Sequence, residues 1–335
     1  MADRVARYKP YLYVELNNKD VSAYITPFLL KFRYIDNDGL EKDESDDVEI
    51  ELEDSTGFFR KNPPARGSSL KVRFGYEEAV RDAGTFYIDS YSFRYSRAGA
   101  VFTIKALAKD VKASYRTLKT TAFENTSLKK IAQEIASRNG YGLYFEGSDI
   151  NFQRIDQYKE RDLEFLFKLC KRYGYTCKIA DNRIVIQELE SVLNRKAVYV
   201  LTPELVIDLE IEVSSLYAGE VDVIYLDPNK KDQTADKKKT QVKASKDTQK
   251  ERVRVENKAQ AEKISKAQKT INEMKELTGM LTCIGIPSVY ASGQIELKGF
   301  DKFDGTYYVS RVEHEMTRQG YTTRIGFMKN PVAKR

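Results

Sequence analysis

Stretches in which every second residue is apolar recur along this chain, and that period of two restricts its possible folds more than any other feature. Val48, Ile50 and Leu52 alternate with acidic residues, and the same alternation runs through Tyr11–Leu16, Leu70–Phe74, Thr85–Phe93 and Val101–Ala106. A period of two sends successive side chains to opposite faces of a strand, one toward a core and one toward water. Strands at this spacing, joined by Gly-, Pro- and Asp-rich loops, predict a compact antiparallel barrel or sandwich over residues 1–112. An acidic loop crosses it, with Asp36, Asn37, Asp38 and Gly39 followed by Glu41, Asp43, Glu44, Asp46 and Asp47. No EF-hand spacing is present, so the loop reads as a solvated hairpin turn.

The period then changes. Leu128, Ile131, Ala132 and Ile135 recur at helical spacing before Asn139-Gly140, and Leu163, Leu166, Phe167 and Cys170 do so before Gly174. Gly142–Glu146 reads as a strand, and Thr176–Gln187 as a hairpin folded at Asp181-Asn182. Residues 113–195 are therefore expected to form a small α+β domain. Alternation returns at Leu205–Val213 and Glu220–Leu226, then stops at Asp227-Pro228-Asn229. A polar run carrying Lys230, Lys231, Lys237, Lys238, Lys239, Lys243 and Lys246 follows, and after it a helix is expected over about Asn257–Leu277. Strands resume at Leu281. The second β domain is thus expected to be split, 196–228 and 277–329, around a basic loop and helix at 229–276. Between Lys230 and Lys275 stand 15 Lys/Arg against 7 Asp/Glu, so the net charge of +6 belongs to this segment alone.

Gly293–Phe327 contains three short strands, Ile295–Lys298, Thr306–Met316 and Thr322–Phe327, separated by turn-rich breaks. Its particulars are Gly299 and Phe300, then Phe303, Asp304 and Gly305, then Tyr307, Tyr308 and Val309, His314, and finally Gly320, Tyr321, Thr322 and Thr323. Asp304-Gly305 and Gln319-Gly320 read as tight turns, since Gly takes positive φ at no steric cost. This pattern resembles the C-terminal signature of the late-control protein D family, the baseplate hub proteins of contractile phage tails. It is similar also to the hub half of the type VI secretion spike protein. The Gly57-Phe58-Phe59 and Gly67–Val72 stretches and the helix start at Asp162 resemble other parts of the same hubs.

The resemblance implies an α+β, mainly β fold: two similar antiparallel β-barrels flanking a small α+β domain, with the second barrel interrupted by the insertion. It implies a homotrimer whose six barrel modules form a pseudo-six-fold ring between a hexameric tail tube and a trimeric spike. The expected partners are a separate spike protein, the tail tube protein, and tape-measure and wedge proteins. The expected place of synthesis is the host cytoplasm, and of assembly the baseplate of a phage or phage-tail-like particle.

Little in the composition points to catalysis. A single histidine removes every two-histidine metal site, and alternation with Ser310, Val312 and Met316 turns His314 toward the interior. Cys170, Cys177 and Cys283 lack a CxxC spacing and read as reduced, structural thiols. The carboxylates stand in alternating strands and charged loops rather than in apolar settings that would raise a pKa, which speaks against a tail-tip cell-wall hydrolase. A basic adaptor that holds nucleic acid is the other alternative, but the lysine run has no interleaved aromatics for stacking. The lysines read instead as docking or lumen-lining residues. The resemblance implies no cofactor or metal, and no membrane insertion is expected, because the longest apolar cluster, Tyr24–Phe32, is only nine residues long.

Overall fold

A computed structural model describes residues 9–40, 45–108, 117–214, 220–224, 248–252 and 255–333. Seven N-terminal strands come first: β1 (Pro10–Leu16), β2 (Lys19–Asp20), β3 (Leu29–Asn37), β4 (Asp47–Glu53), β5 (Ser69–Tyr76), β6 (Ala79–Ser96) and β7 (Gly99–Leu107). Two one-turn helices, α1 (Ser22–Ile25) and α2 (Phe58–Lys61), cap the loops between them. Each expected strand is present. Their order is β3-β4-β7-β6-β5-β1-β2, all antiparallel. β3 and β5 lie four places apart in this order, yet the Phe32 and Phe74 rings approach to 5.4 Å and Tyr34 reaches Phe86 at 5.9 Å. Only a strongly curled sheet allows that, and curling follows from the right-handed twist of its strands.

The middle segment runs β8 (Lys119–Ser127), α3 (Leu128–Arg138), β9 (Gly142–Glu146), β10 (Asn151–Glu160), α4 (Asp162–Arg172), β11 (Tyr175–Ala180), β12 (Arg183–Glu188) and α5 (Leu189–Leu193). Asp181 and Asn182 both take positive φ, 44° and 58°, so the β11–β12 hairpin folds at the expected pair. Ser127 caps α3 by accepting from Lys130 N. β9 joins β12 in parallel, whereas β8 and β10 pair with each other as a ribbon that alternation did not reveal.

The remaining strands are β13 (Tyr199–Leu201), β14 (Val206–Val213), β15 (Glu220–Ile224), β16 (Thr248–Arg252), β17 (Leu277–Ile284), β18 (Gln294–Leu297), β19 (Gly305–Thr317) and β20 (Gly320–Lys329), with α6 (Lys258–Lys275) before β17. β14, β17, β20 and β19 follow one another in a sheet over a core of Leu281, Ile295, Val309, Val312, Ile325 and Phe327. β19 then pairs with β3, from Arg311 opposite Asn37 to Thr317 opposite Lys31. The two strand sets are therefore one 13-stranded sheet.

That seam changes the expected architecture. The fold is mainly β, with large antiparallel pairing, but no closed barrel exists among the described residues. β3 gives its free edge to β19 and has none left with which to close on β1. The insertion also differs from expectation. β16 lies within the stretch read as a loop, and it pairs in parallel with β15 in a separate two-stranded sheet. β15 thus leaves the sheet it was expected to join. α6 packs into the core: Ile264 is buried in the N-terminal and middle core, and Ile271 and Met274 in a third cluster with Tyr308 and Met328. The seven insertion lysines lie outside the described residues, and no helix among the described residues is long and apolar enough to cross a membrane.

Candidate functional site

The described acids at the two ends of the acidic loop, Asp36, Asp38 and Asp46, are buried rather than solvated. β3 and β4 do form a hairpin, but Asp36, Asp38 and Asp46 are each under 5% exposed. Glu41, Asp43 and Glu44 lie outside the described residues. The physical reason for the burial is countercharge from elsewhere in the chain. Arg81 of β6 donates from Nη2 to Asp36 Oδ2 at 2.6 Å, and Lys178 of β11 donates to Asp36 Oδ1. Ala291 N also donates to Oδ2, at 3.1 Å. Asp46 accepts from Asn37 N at 3.0 Å and lies 3.7 Å from Lys178 Nζ. One carboxylate thus holds the N-terminal sheet, the middle domain and the C-terminal strands together.

His314 completes the cluster from β19. Arg81 Nη1 stands 3.2 Å from its Nε2, while Tyr321 OH and Thr323 Oγ1 stand 2.8 and 3.2 Å from its Nδ1. A guanidinium can only donate, so Nε2 accepts and the proton of the neutral ring sits on Nδ1. The ring stacks parallel to Tyr34 at 5.9 Å and tilts against Phe74 at 4.9 Å. Arg81 itself lies over Tyr34 at 5.2 Å and donates to Val289 O.

Burial and charge split the protonation behaviour of these groups. Burial alone would push Asp36 up, but Lys178 and Arg81 outweigh it and hold the carboxyl at about 2. Burial lifts Asp46 to about 7, with the negative Asp36 adding to the rise and Lys178 opposing it. Burial, then the Arg81 charge, lowers His314 to about 3. A carboxyl pair pushed apart in this way is the pattern of a general acid and base. Here both carboxyls are buried, and a cavity of about 390 Å³ beside the cluster touches Arg81 but neither aspartate. What the arrangement can do is hold three parts of the chain in register.

Some signature residues fall around this cluster and others pack on the C-terminal core. Tyr308 donates to Asp38 Oδ2 at 2.9 Å, Tyr307 to Phe303 O at 2.8 Å, and Val309 is buried in the C-terminal core. Tyr321 and Thr323 hold His314, and Thr323 Oγ1 also accepts from Ile286 N. Thr322 points away from that pair on the alternate face of β20, and Gly320 ends the β19–β20 turn with φ 146°. Asp304-Gly305 is not the expected two-residue turn. Gly299 turns the chain with φ 91°, and Asp301–Phe303 makes a 3-10 turn. Asp304 Oδ1 then accepts from Phe300 N, and Gly305 opens β19 with φ 151°. Leu297 pairs with Gly305, so a seven-residue loop, rather than a tight turn, joins β18 to β19. Phe300 and Phe303 pack against the C-terminal core.

Sequence reasoning missed Asp36, Asp46, Arg81 and Lys178. Only the loop's unusual density of acids marked the place. A second ionic clamp was also not foreseen: Lys263 of α6 reaches Ser148 Oγ, Tyr175 OH and Glu188 Oε1, each at 2.7 Å, tying α6 to the middle domain.

Comparisons with known proteins bear on the fold and the family. Over 168 residues the chain is 31% identical to a protein of Escherichia phage P2 named "Probable baseplate hub protein". The match covers 49% of this chain and 42% of that protein, so it spans less than half of the relative's length. The fold is similar to that of a prophage 43 kDa tail protein from Shewanella oneidensis, with a TM-score of 0.71 and 16% identity over 97% of this chain and all of that one. It is similar also to an E. coli component of the type VI secretion system, with a TM-score of 0.58 and 10% identity over 96% of this chain and 76% of that one. The resemblance to tail hubs and type VI spikes read from the signature thus holds for fold and curated relative alike. The chain belongs to the family described as the Alg8 N-terminal domain, whose model matches residues 61–318.

Proposed function

We propose that this chain is the structural baseplate hub of a contractile tail or tail-like injection particle. In this reading three copies close into a pseudo-six-fold ring, each contributing two similar β modules, residues 1–112 and the split 196–228 and 277–329. The α+β segment 113–195 stands between them, and the ring adapts a hexameric tube to a trimeric spike. The observation that carries the reading is the β3–β19 seam with the buried Asp36 cluster beneath it. A ring that transmits force needs modules that do not move against each other within one chain. A continuous sheet with a buried, fully hydrogen-bonded charge network gives that rigidity. The 31% identity to a named hub protein supports the same role.

The partners in this reading are a separate spike, the tube protein, and tape-measure and wedge proteins, with assembly into a baseplate after synthesis in a bacterial host. No enzymatic step is assigned, and Asp36 and Asp46, whose protonation behaviour is separated, are both buried. The insertion lysines would face a partner or the lumen. Electron microscopy of the assembled particle tests the ring. Three copies per ring around a three-fold axis are expected, and six copies would overturn the adaptor mechanism.

A further inference from the structure

Two surfaces of this chain complement each other yet stay uncovered within one molecule. The first is the far end of the β6–β7 hairpin, an arm in which residues 91 to 99 are all exposed. Tyr91, Phe93 and Tyr95 alternate along it and so share one face. Tyr91 stacks on Phe102 at 5.6 Å and Phe93 lies under Arg60 at 4.9 Å, while Tyr95 is 78% exposed. Arg94 is on the other face and Arg97 at the tip, and the arm holds no acid between Tyr91 and Gly99.

The second surface is β14, which ends the sheet. Among the described residues it pairs with β17 alone, leaving one row of backbone donors and acceptors open. Its face carries Asp208, Glu210 and Glu212 with no base, and Ile207 and Val213 are 62% and 68% exposed. Beside it a groove of about 370 Å³ opens over β17, β20 and β19, lined by Glu210, Glu212, Met280, Arg311 and Met328. Acids on an edge strand also discourage indiscriminate pairing, but they do not account for an aromatic arm exposed elsewhere on the same chain.

We infer that the β6–β7 arm of one copy docks on the β14 edge and acid-lined groove of the next. Within one chain both surfaces stay uncovered, residues 91 to 99 being exposed and β14 keeping an open edge, so the contact is assigned to neighbouring copies. The two surfaces differ, so the contact is heterologous, and such contacts generate rings when the rotation closes. The tyrosines and Phe93 would cover the exposed Ile207 and Val213, and Arg94 and Arg97 would face Asp208, Glu210 and Glu212. Salt-sensitive steering and an apolar centre then act together. The inference rests on the ring reading and names its contact.

The test is oxidative cross-linking of the full chain. Tyr95→Cys and Ile207→Cys are made as separate variants, the native cysteines being buried. A mixture of the two is expected to give a disulfide-linked dimer on non-reducing gels, while each variant alone gives none. Adding Arg94→Glu and Arg97→Glu to the first variant should cut the yield at least tenfold. Placing Asp208→Arg and Glu210→Arg on the second should restore it. No cross-link in the mixture, equal cross-linking of the single variants, or reversal without rescue overturns the inference. A three-fold ring in the particle with no arm-to-edge cross-link overturns this contact alone. Rescued cross-linking with no such ring leaves the contact standing and removes the ring reading.

Discussion

Asp36 shows how a residue that looks like surface ornament in the sequence becomes the centre of a fold. Its carboxylate is matched by two cations from different parts of the chain, so removing its charge leaves Lys178 and Arg81 facing each other with only Asp46 between. Breaking one partner of a buried pair typically costs about 3–5 kcal/mol. Asp36→Asn should therefore lower the urea midpoint sharply, whereas Lys168→Ala, in an exposed helical pair, should leave it nearly unchanged. His314 gives a pH signature. Its folded pKa is depressed to about 3 against an unfolded value near 6.5. The unfolded chain therefore takes up a proton that the folded chain refuses. This contribution is complete above pH 6.5 and is lost as pH falls toward 3, by at most about 1.4 kcal/mol per pH unit. Asp46, raised to about 7, works the other way between pH 7 and 4. Urea titrations at pH 7.5, 6 and 5 should show stability shifted upward toward acid once His314 is replaced by Gln, because the Asp46 gain is then no longer opposed. Identical slopes for the two proteins would mean that the ring is not held neutral.

The β3–β4 loop shows the same lesson for an element. Gly39 takes φ +70°, and a Cβ there would fall 1.8 Å from the Cys177 carbonyl oxygen. The loop therefore lies directly on β11, while Asp38 N donates to Ser310 O across on β19. Gly39→Ala combines a disfavoured φ with a backbone clash, and a loss of at least about 3 kcal/mol is expected. A melting temperature within two degrees or so of the parent would show that the loop does not bear on β11. Alternation made the strands of this region legible, and helical spacing made α3, α4 and α6 legible, because each periodicity comes from local burial of one face. The 3-10 turn before Gly305, the β8–β10 ribbon and the β15–β16 pair were not legible. Polar side chains dominate all of them but β15, which alternation did mark, and their pairing is decided by what packs on them. The cluster was invisible for a related reason: Asp36 meets Arg81, Lys178 and His314 only through long-range contacts, and no local pattern encodes a countercharge 142 residues away.

At the scale of the whole molecule, the continuous sheet has a consequence in time as well as in space. The seam joins strands whose paired residues, such as Lys31 and Thr317, stand near opposite ends of the chain. During synthesis β3 must therefore wait, with one edge bare, until almost everything else has emerged. Topologies dominated by such distant pairings fold slowly, because the entropy of closing a long segment is lost before its contacts are gained. Refolding should accordingly show an early phase in which the middle segment protects its amides, followed by a slower one that protects β3 and β19 together. Pulsed hydrogen exchange would separate the two, and simultaneous protection would argue against it. The waiting edge is a template for pairing with another chain. A nascent copy is thus most exposed to misassembly just before completion, and a premature stop ahead of β19 should give an aggregating product instead of a smaller stable domain.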